Sequence, residues 1–227
     1  ALAVKYAADG SIGMVMGGDS TAGNVAVYHW TGTAWTNTAD FDVDTGDSLD
    51  VKWLTLKADP ATDDLTAVAV DSGSDLHTAY WSGASWTVTS NIDAAVDSNA
   101  ARPADFAWNP SGSTGRLVWD TDTTGTTLSQ RACSPQCTGG TSTISTYAGT
   151  GAWLALHRNP TDADTVNILG ARLNSNFDIG SFRFDGTSYT NYGDSAITAD
   201  TTVTTFEAFS FAFQLSAGDT TPPIITI

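Results

Sequence analysis

Short runs of alternating apolar and polar residues recur along this chain, and each stops at a cluster of Gly, Ser, Asp or Pro. Alternation of this kind has the period of a half-buried β-strand, and the clusters hold the residues that tight turns need. The clearest stretch predicts strands at 49–58, 65–71, 76–81 and 85–91. Turn signals separate them: Asp59-Pro60-Ala61-Thr62-Asp63, Ser72-Gly73-Ser74 and Ser82-Gly83-Ala84. Four strands joined by hairpins make one antiparallel sheet. The same reading gives strands near 1–8, 11–17, 24–30 and 34–40, then near 103–108, 115–120, 126–133 and 137–146, then near 152–158, 165–172, 177–184 and 188–194.

These sets are copies of one unit. Asp59-Pro60, Asn109-Pro110 and Asn159-Pro160 stand fifty residues apart, with Asp9-Gly10 fifty before the first. A second series, Trp30, Trp81, Cys133 and Phe184, advances by 51, 52 and 51. Two landmarks keeping one period mean one supersecondary unit repeated, and a strand-rich period near fifty predicts propeller blades. The expected fold is therefore an all-β β-propeller of four-stranded antiparallel blades at about 1–47, 48–99, 100–150 and 151–200. A partial blade at 201–217 completes the propeller domain, 1–217. Its inner strand, near 204–214 with Phe209, Phe211 and Phe213, is expected to lack companions in this chain, and either to find them upstream of Ala1 or to serve some other closure. Residues 218–227, with Pro222-Pro223, read as a stiff linker opening a further β segment, so the native chain is expected to continue. A short helical turn is expected within 92–101.

Composition agrees. Glu207 is the sole glutamate and Lys5, Lys52 and Lys57 the sole lysines, so strong helix formers are scarce while Asp, Thr, Ser and Gly abound. The net charge of −16 disfavours binding to phosphate backbones and to anionic membranes. No apolar run approaches the roughly 20 residues that span a bilayer, so no membrane insertion is expected in this segment.

The third-to-fourth strand hairpins carry aromatic pairs about a Gly turn: Trp30 with Trp35, Trp81 with Trp86, and Phe184 with Tyr189. Where these pairs fall in the other copies, the third copy has Cys133 and Cys137. Facing residues of paired strands lie within disulfide reach, so a Cys133–Cys137 bridge is expected to replace the aromatic clasp. A metal is the alternative for a Cys-x-x-x-Cys pair, but two cysteines and three scattered histidines support a closed site poorly. A disulfide in turn implies an oxidising, extracellular or cell-surface location.

On these Trp-x-Gly-x-x-Trp hairpins and their fifty-residue period, the chain resembles the blades of secreted or surface-displayed microbial β-propellers, including tectonin-like and sialidase-like repeat domains. The resemblance implies architecture across nearly the whole chain. It does not carry over an activity, because the Ser-x-Asp-x-Gly-x-x-Trp box and the arginine triad of sialidases are absent.

Candidate sites are of two kinds. Trp30, Trp35, Trp81, Trp86, Phe184 and Tyr189 are candidate sugar-stacking rings, although clasping hairpins and packing blades is the simpler role for them. Asp40, Asp42, Asp44 and Asp47 alternate in a blade-to-blade connection and form a candidate Ca²⁺ loop, one residue off the standard spacing. His29, His77 and His157 lie in strands without a repeated Asp or Ser partner, and no catalytic motif is present. The expected function is a noncatalytic extracellular or cell-surface module for structure, adhesion or interaction with protein or glycan. Unpaired strand edges would allow self-assembly. The alternative is a glycan-binding lectin-type propeller, and a polysaccharide hydrolase or lyase comes third.

Overall fold

The computed structural model describes residues 2–6, 13–43, 49–96, 101–121, 127–145, 151–160, 168–174, 179–193, 209–211 and 225–226. Their regular structure is entirely β. The first sheet is β1 (Leu2–Tyr6), β2 (Gly13–Gly18), β3 (Asn24–Trp30) and β4 (Trp35–Asp42). The second is β5 (Val51–Ala58), β6 (Leu65–Asp71), β7 (Leu76–Trp81) and β8 (Trp86–Asp93). The third is β9 (Ala104–Trp108), β10 (Gly115–Trp119), β11 (Thr127–Cys133) and β12 (Thr141–Ser145). The fourth is β13 (Gly151–Arg158), β14 (Ile168–Asn174), β15 (Ile179–Phe184) and β16 (Tyr189–Gly193). Each sheet is antiparallel and runs in chain order, and the first strands β1, β5, β9 and β13 lie beside one another. The sheets are blades of a β-propeller with these four strands innermost.

Strand β6 shows why the sequence folds this way. All seven of its residues are buried, yet their side chains divide by period two. Leu65, Ala67 and Ala69 enter a core shared with Met14, Met16, Val25 and Val27 of the first blade. Val68 and Val70 enter another with Phe106, Leu117 and Trp119 of the third. A third core joins Val118 and Leu128 to Leu154, Ile168 and Phe182 of the fourth blade. The hydrophobic interior therefore lies between blades, which is why a single copy could not bury its own apolar faces.

The Asx-Pro landmark closes the turn after β5 and the turn after β9. Asp59 N donates to Asp64 O at 2.9 Å, and Asn109 N donates to Thr114 O at 2.8 Å. Asp59, fully buried, accepts from Ala61 N at 2.7 Å and across the blade boundary from Ser113 N at 2.6 Å. Gly112 and Ser113 both have positive φ, 78° and 60°, which turns the Ser113 amide toward the carboxylate.

Near the axis the polar anchor is Asp105 on β9. Its side chain accepts from Lys57 Nζ (2.9 Å) and Thr55 Oγ1 (3.2 Å) of the second blade and from Leu156 N (2.8 Å) of the fourth. Arg102 Nη1 lies 3.4 Å from the same carboxylate. One buried anion thus ties three innermost strands together.

Four expectations change. The fourth strand of the first blade extends through Asp40 and Asp42 instead of ending at 40, so those carboxylates stand in a strand and not in a connection; a register shift at Val27/Tyr28 accommodates the extra length. Among the described residues within 92–101 no helical turn forms, because β8 continues to Asp93 and the chain then bends. Cys137 precedes β12, which begins at Thr141 facing Arg131, so the two cysteines are not a cross-strand pair. Finally, β17 (Ser210–Phe211) is not without a companion: it pairs antiparallel with β18 (Ile225–Thr226), the apolar run after the prolines. Phe209, buried, precedes β17; residues 204–208 and 212–214 of the expected strand lie outside the described residues, as does position 9 of the landmark series.

Candidate functional site

The hairpin aromatics are placed by register at the same point of each blade, where Trp30 faces Trp35, Trp81 faces Trp86 and Phe184 faces Tyr189. Within each pair the ring centroids are 5.5, 5.5 and 4.8 Å apart. They also seat one blade on the preceding one. Trp81 presents its face or edge to His29 in a T-shaped contact at 5.1 Å, and Trp86 stacks on Phe41 at 5.2 Å, so both rings close the boundary of the first two blades. Trp81 and Phe184 are buried, Trp30, Trp86 and Tyr189 are half-buried, and Trp35 is 46% exposed.

In the third blade Cys133 and Cys137 form a disulfide with Cα atoms 4.2 Å apart, and both are buried in the core against the second blade. The bridge closes a loop inside the β11–β12 connection. Arg131 Nη1 donates to Cys137 O at 3.0 Å and its Nη2 to Thr141 Oγ1 at 3.0 Å, holding that connection to the strands.

The boundary of the third and fourth blades is different in kind. Arg116 on β10 places its guanidinium 4.2 Å above the Phe184 ring. Its Nη1 donates to Gln130 Oε1 at 3.3 Å, and Tyr189 Oη donates to the same oxygen at 3.0 Å. Gln130 Nε2 then donates to exposed Ser142 Oγ at 2.6 Å. Burial raises the Tyr189 hydroxyl pKa above its ordinary value, the Arg116 charge opposing, so the phenol stays a donor at neutral pH. Arg116, Gln130 and Tyr189 are each half-buried. The cleft therefore combines a planar cation, an amide and a hydroxyl along an aromatic wall, with only one of the guanidinium's five N–H groups used by a described residue. A cation over a ring is further stabilised by the ring's quadrupole.

This constellation was hidden in the sequence. By register the counterparts of Arg116 are Met14, Thr66 and Leu169, and those of Gln130 are Val27, Thr78 and Ser181. A repeat analysis that seeks what the copies share passes over a group found in one of them. The signal available was the departure itself: a cation and an amide on adjacent strands at positions that are apolar or small elsewhere.

Of the candidate Ca²⁺ loop two residues are described. Asp40 is exposed and accepts from Asn37 Nδ2 at 3.2 Å, Asp42 is half-buried on the same strand, and Asp44 and Asp47 lie outside the described residues. Among the described residues no three His, Cys, Asp or Glu side chains converge as a metal site. His77 does have an acidic neighbour that sequence reasoning missed: Nε2 is 3.2 Å from Asp71 Oδ2, while Nδ1 accepts from Asn91 N at 3.3 Å. Both side chains are fully buried, and Asp71 also accepts from Gly73 N and Asp75 N, so the pair orders a turn and is closed to substrate.

No family model and no curated protein matches the chain. Solved structures do. The chain is similar to the fucose-specific lectin of Aleuria aurantia, with 15% identity and a TM-score of 0.54, covering 92% of this chain and 66% of the lectin. It is similar to the BP39L lectin of Burkholderia pseudomallei (15% identity, TM-score 0.57, 83% and 53% covered). A further likeness is to AofleA of Arthrobotrys oligospora (14% identity, TM-score 0.57, 84% and 55% covered). The chain spans between about half and two thirds of the length of these proteins. At these identities the likeness is one of fold, and the fold is the β-propeller shared with these lectins.

Proposed function

We propose that this chain is a glycan-binding β-propeller module that takes a neutral, hydroxyl-rich sugar in the cleft of Arg116, Gln130, Phe184 and Tyr189. The observation that carries the reading is the Arg116 guanidinium lying over Phe184 while sharing Gln130 with Tyr189. Vicinal hydroxyls of a pyranose match the fork of a guanidinium and the paired donor and acceptor of an amide, and C–H faces of sugars pack on aromatic rings. That lectins share the fold supports a sugar over other hydroxylated ligands. The Cys133–Cys137 disulfide supports an extracellular or cell-surface setting.

A glycan array that includes fucosylated and non-fucosylated neutral sugars tests this, with Arg116→Ala as the control. Binding by the native chain and a loss of at least about tenfold in the variant are expected. Absence of binding across the array, or an unchanged variant that remains folded, would overturn the reading.

A second reading, an interaction module, is favoured by one observation. Trp35 is 46% exposed at the position whose counterparts, Trp86 and Tyr189, seat on the preceding blade. The ring is shaped to meet a further blade-like surface. Light scattering on the native chain and on Trp35→Ser checks it: association lost in the variant supports the reading, and a monomer in both sinks it.

A further inference from the structure

Where β5, β9 and β13 end, a pocket of about 220 Å³ opens among Lys57, Ala58, Ala107, Trp108, Leu156, His157 and Arg158. Its position is unusual for this protein. The chain carries 25 acidic side chains against nine Lys and Arg, yet two of those nine cations line this one cavity and no carboxylate does.

The two cations differ in one respect. Lys57 is satisfied, because its ammonium contacts Asp105 Oδ2 at 2.9 Å and Leu156 O at 3.2 Å. Arg158 is not: Nη1 is buried without a hydrogen-bond partner, and no described carboxylate forms an ion pair with it. The charge of opposite sign that acts on it is on Asp59, whose carboxylate oxygens accept from the amides of Ala61 and Ser113. Burial pulls the Arg158 pKa below its ordinary value, the Asp59 charge opposing. Buried donors are almost always paired in native proteins, so an orphaned Nη1 beside an open cavity calls for an acceptor.

Ala58, Ala107 and Trp108 make the remaining wall apolar, and Trp108 spends its indole N–H on Lys57 O at 3.1 Å. A cavity of this size lies below that of drug-sized ligand sites. We propose that this axial pocket binds a small organic carboxylate of single-ring size, a hexuronate, with its carboxylate on Arg158 and its ring against Trp108 and the alanines. The guanidinium offers the planar fork that a carboxylate fits. The inference stands apart from the Arg116 cleft and does not depend on it.

Titration calorimetry with glucuronate, with glucose as the uncharged counterpart and sulfate as the inorganic anion, decides the matter. Glucuronate is expected to bind, glucose to bind at least about tenfold more weakly, and Arg158→Gln to lose at least about tenfold in glucuronate affinity. Should Arg158→Gln fail to fold, Arg158→Lys keeps the charge and the stem but not the fork, and is expected to weaken glucuronate by a few fold. The proposal fails if glucuronate shows no binding at about 10 mM, if glucose or sulfate binds as well, or if the folded Arg158 variant matches the native chain. It fails equally if Arg116→Ala abolishes glucuronate binding while the Arg158 variant retains it, since the carboxylate would then occupy the interblade cleft.

Discussion

The carboxylate of Asp105 lies 2.9 Å from the ammonium of Lys57 across the boundary of the second and third blades. Asp105 is 1% and Lys57 25% exposed at the side chain, so solvent screens little of the attraction on one side of the pair. An ion pair so placed does not by itself add much stability, because both charges leave water to form it. Its larger consequence is geometric. The carboxylate also holds Leu156 N of the fourth blade, so three blades must take fixed positions for one anion to be satisfied.

Removing that anion is expected to cost about 3–5 kcal/mol in Asp105→Asn, since Lys57 and Arg102 would lose their counterion. The same group makes stability acid-sensitive. Burial alone would push its pKa up, but Lys57, Arg102 and the Leu156 amide outweigh burial and hold it below the usual carboxylate range. A group depressed on folding contributes stability that is present above the unfolded value, about 3.9, and is lost as pH falls through the folded value. Urea midpoints should therefore stay level from pH 7 to about 5 as far as Asp105 contributes and fall below about pH 4, more steeply in the native chain than in Asp105→Asn. Parallel curves would refute the assignment.

Gly112 tests the tie between turns of neighbouring blades. Its φ of 78° is a region that side chains rarely adopt, and an added Cβ would collide with Asp59 Oδ1 and approach Ala61 Cβ. Gly112→Ala is expected to lose about 1–3 kcal/mol, more than the change costs at an exposed glycine of the same φ sign. Gly83, with φ 84° and nothing within 4 Å of an added Cβ, is the internal control. Equal losses at the two sites in thermal melts would show that the Asp59 contact contributes nothing.

The disulfide should act through the unfolded chain. Closing a loop of this length contributes about 2 kcal/mol by the chain-entropy estimate. Cys133→Ala with Cys137→Ala is expected to lose about that much, plus a packing loss because both sulfurs are buried against the second blade. A reductant should reproduce the first part without the second. If reduction leaves the denaturation midpoint unmoved, the bridge is not the clasp of this hairpin.

How far the sequence could carry this reading follows from which interactions repeat. Trp81 and Trp86 fall where a fifty-residue period puts them because every copy must close the same hairpin and rest on the same kind of neighbour. Strand positions were readable for the same reason: β6 and β7 begin and end at the residues that turn chemistry predicts. Cys133 was readable as a replacement, but the path of residues 134–140 was not, since the offset between Cys137 and Thr141 depends on a connection that no other copy has. Arg116 and Gln130 were missed because they break the repeat. Asp105 was missed because 24 aspartates offer no means of telling a turn former from a buried anchor until the Lys57 and Leu156 partners are placed. Pairing of Phe211 with Ile225 is likewise a contact between segments that share no period.

His29 offers a pH effect near neutrality. It sits on β3 with Nε2 buried and without a hydrogen-bond partner, its ring in a T-shaped contact with Trp81 at 5.1 Å. Burial lowers its pKa from the ordinary 6.5, because a charged imidazolium there would have no acceptor. The sign follows from proton binding: the unfolded chain takes up a proton that the folded chain resists, so protons favour unfolding. The contribution is whole above about 6.5 and is lost as pH falls through the folded value. Stability of the first blade against the second should thus decline between about pH 6.5 and 5, before the carboxylates begin to titrate. His29→Phe keeps an aromatic edge against Trp81 and removes the titrating group. Its unfolding free energy should hold level across that window while that of the native chain falls, and a native chain that is equally level would mean that His29 finds solvent or a partner when it is charged.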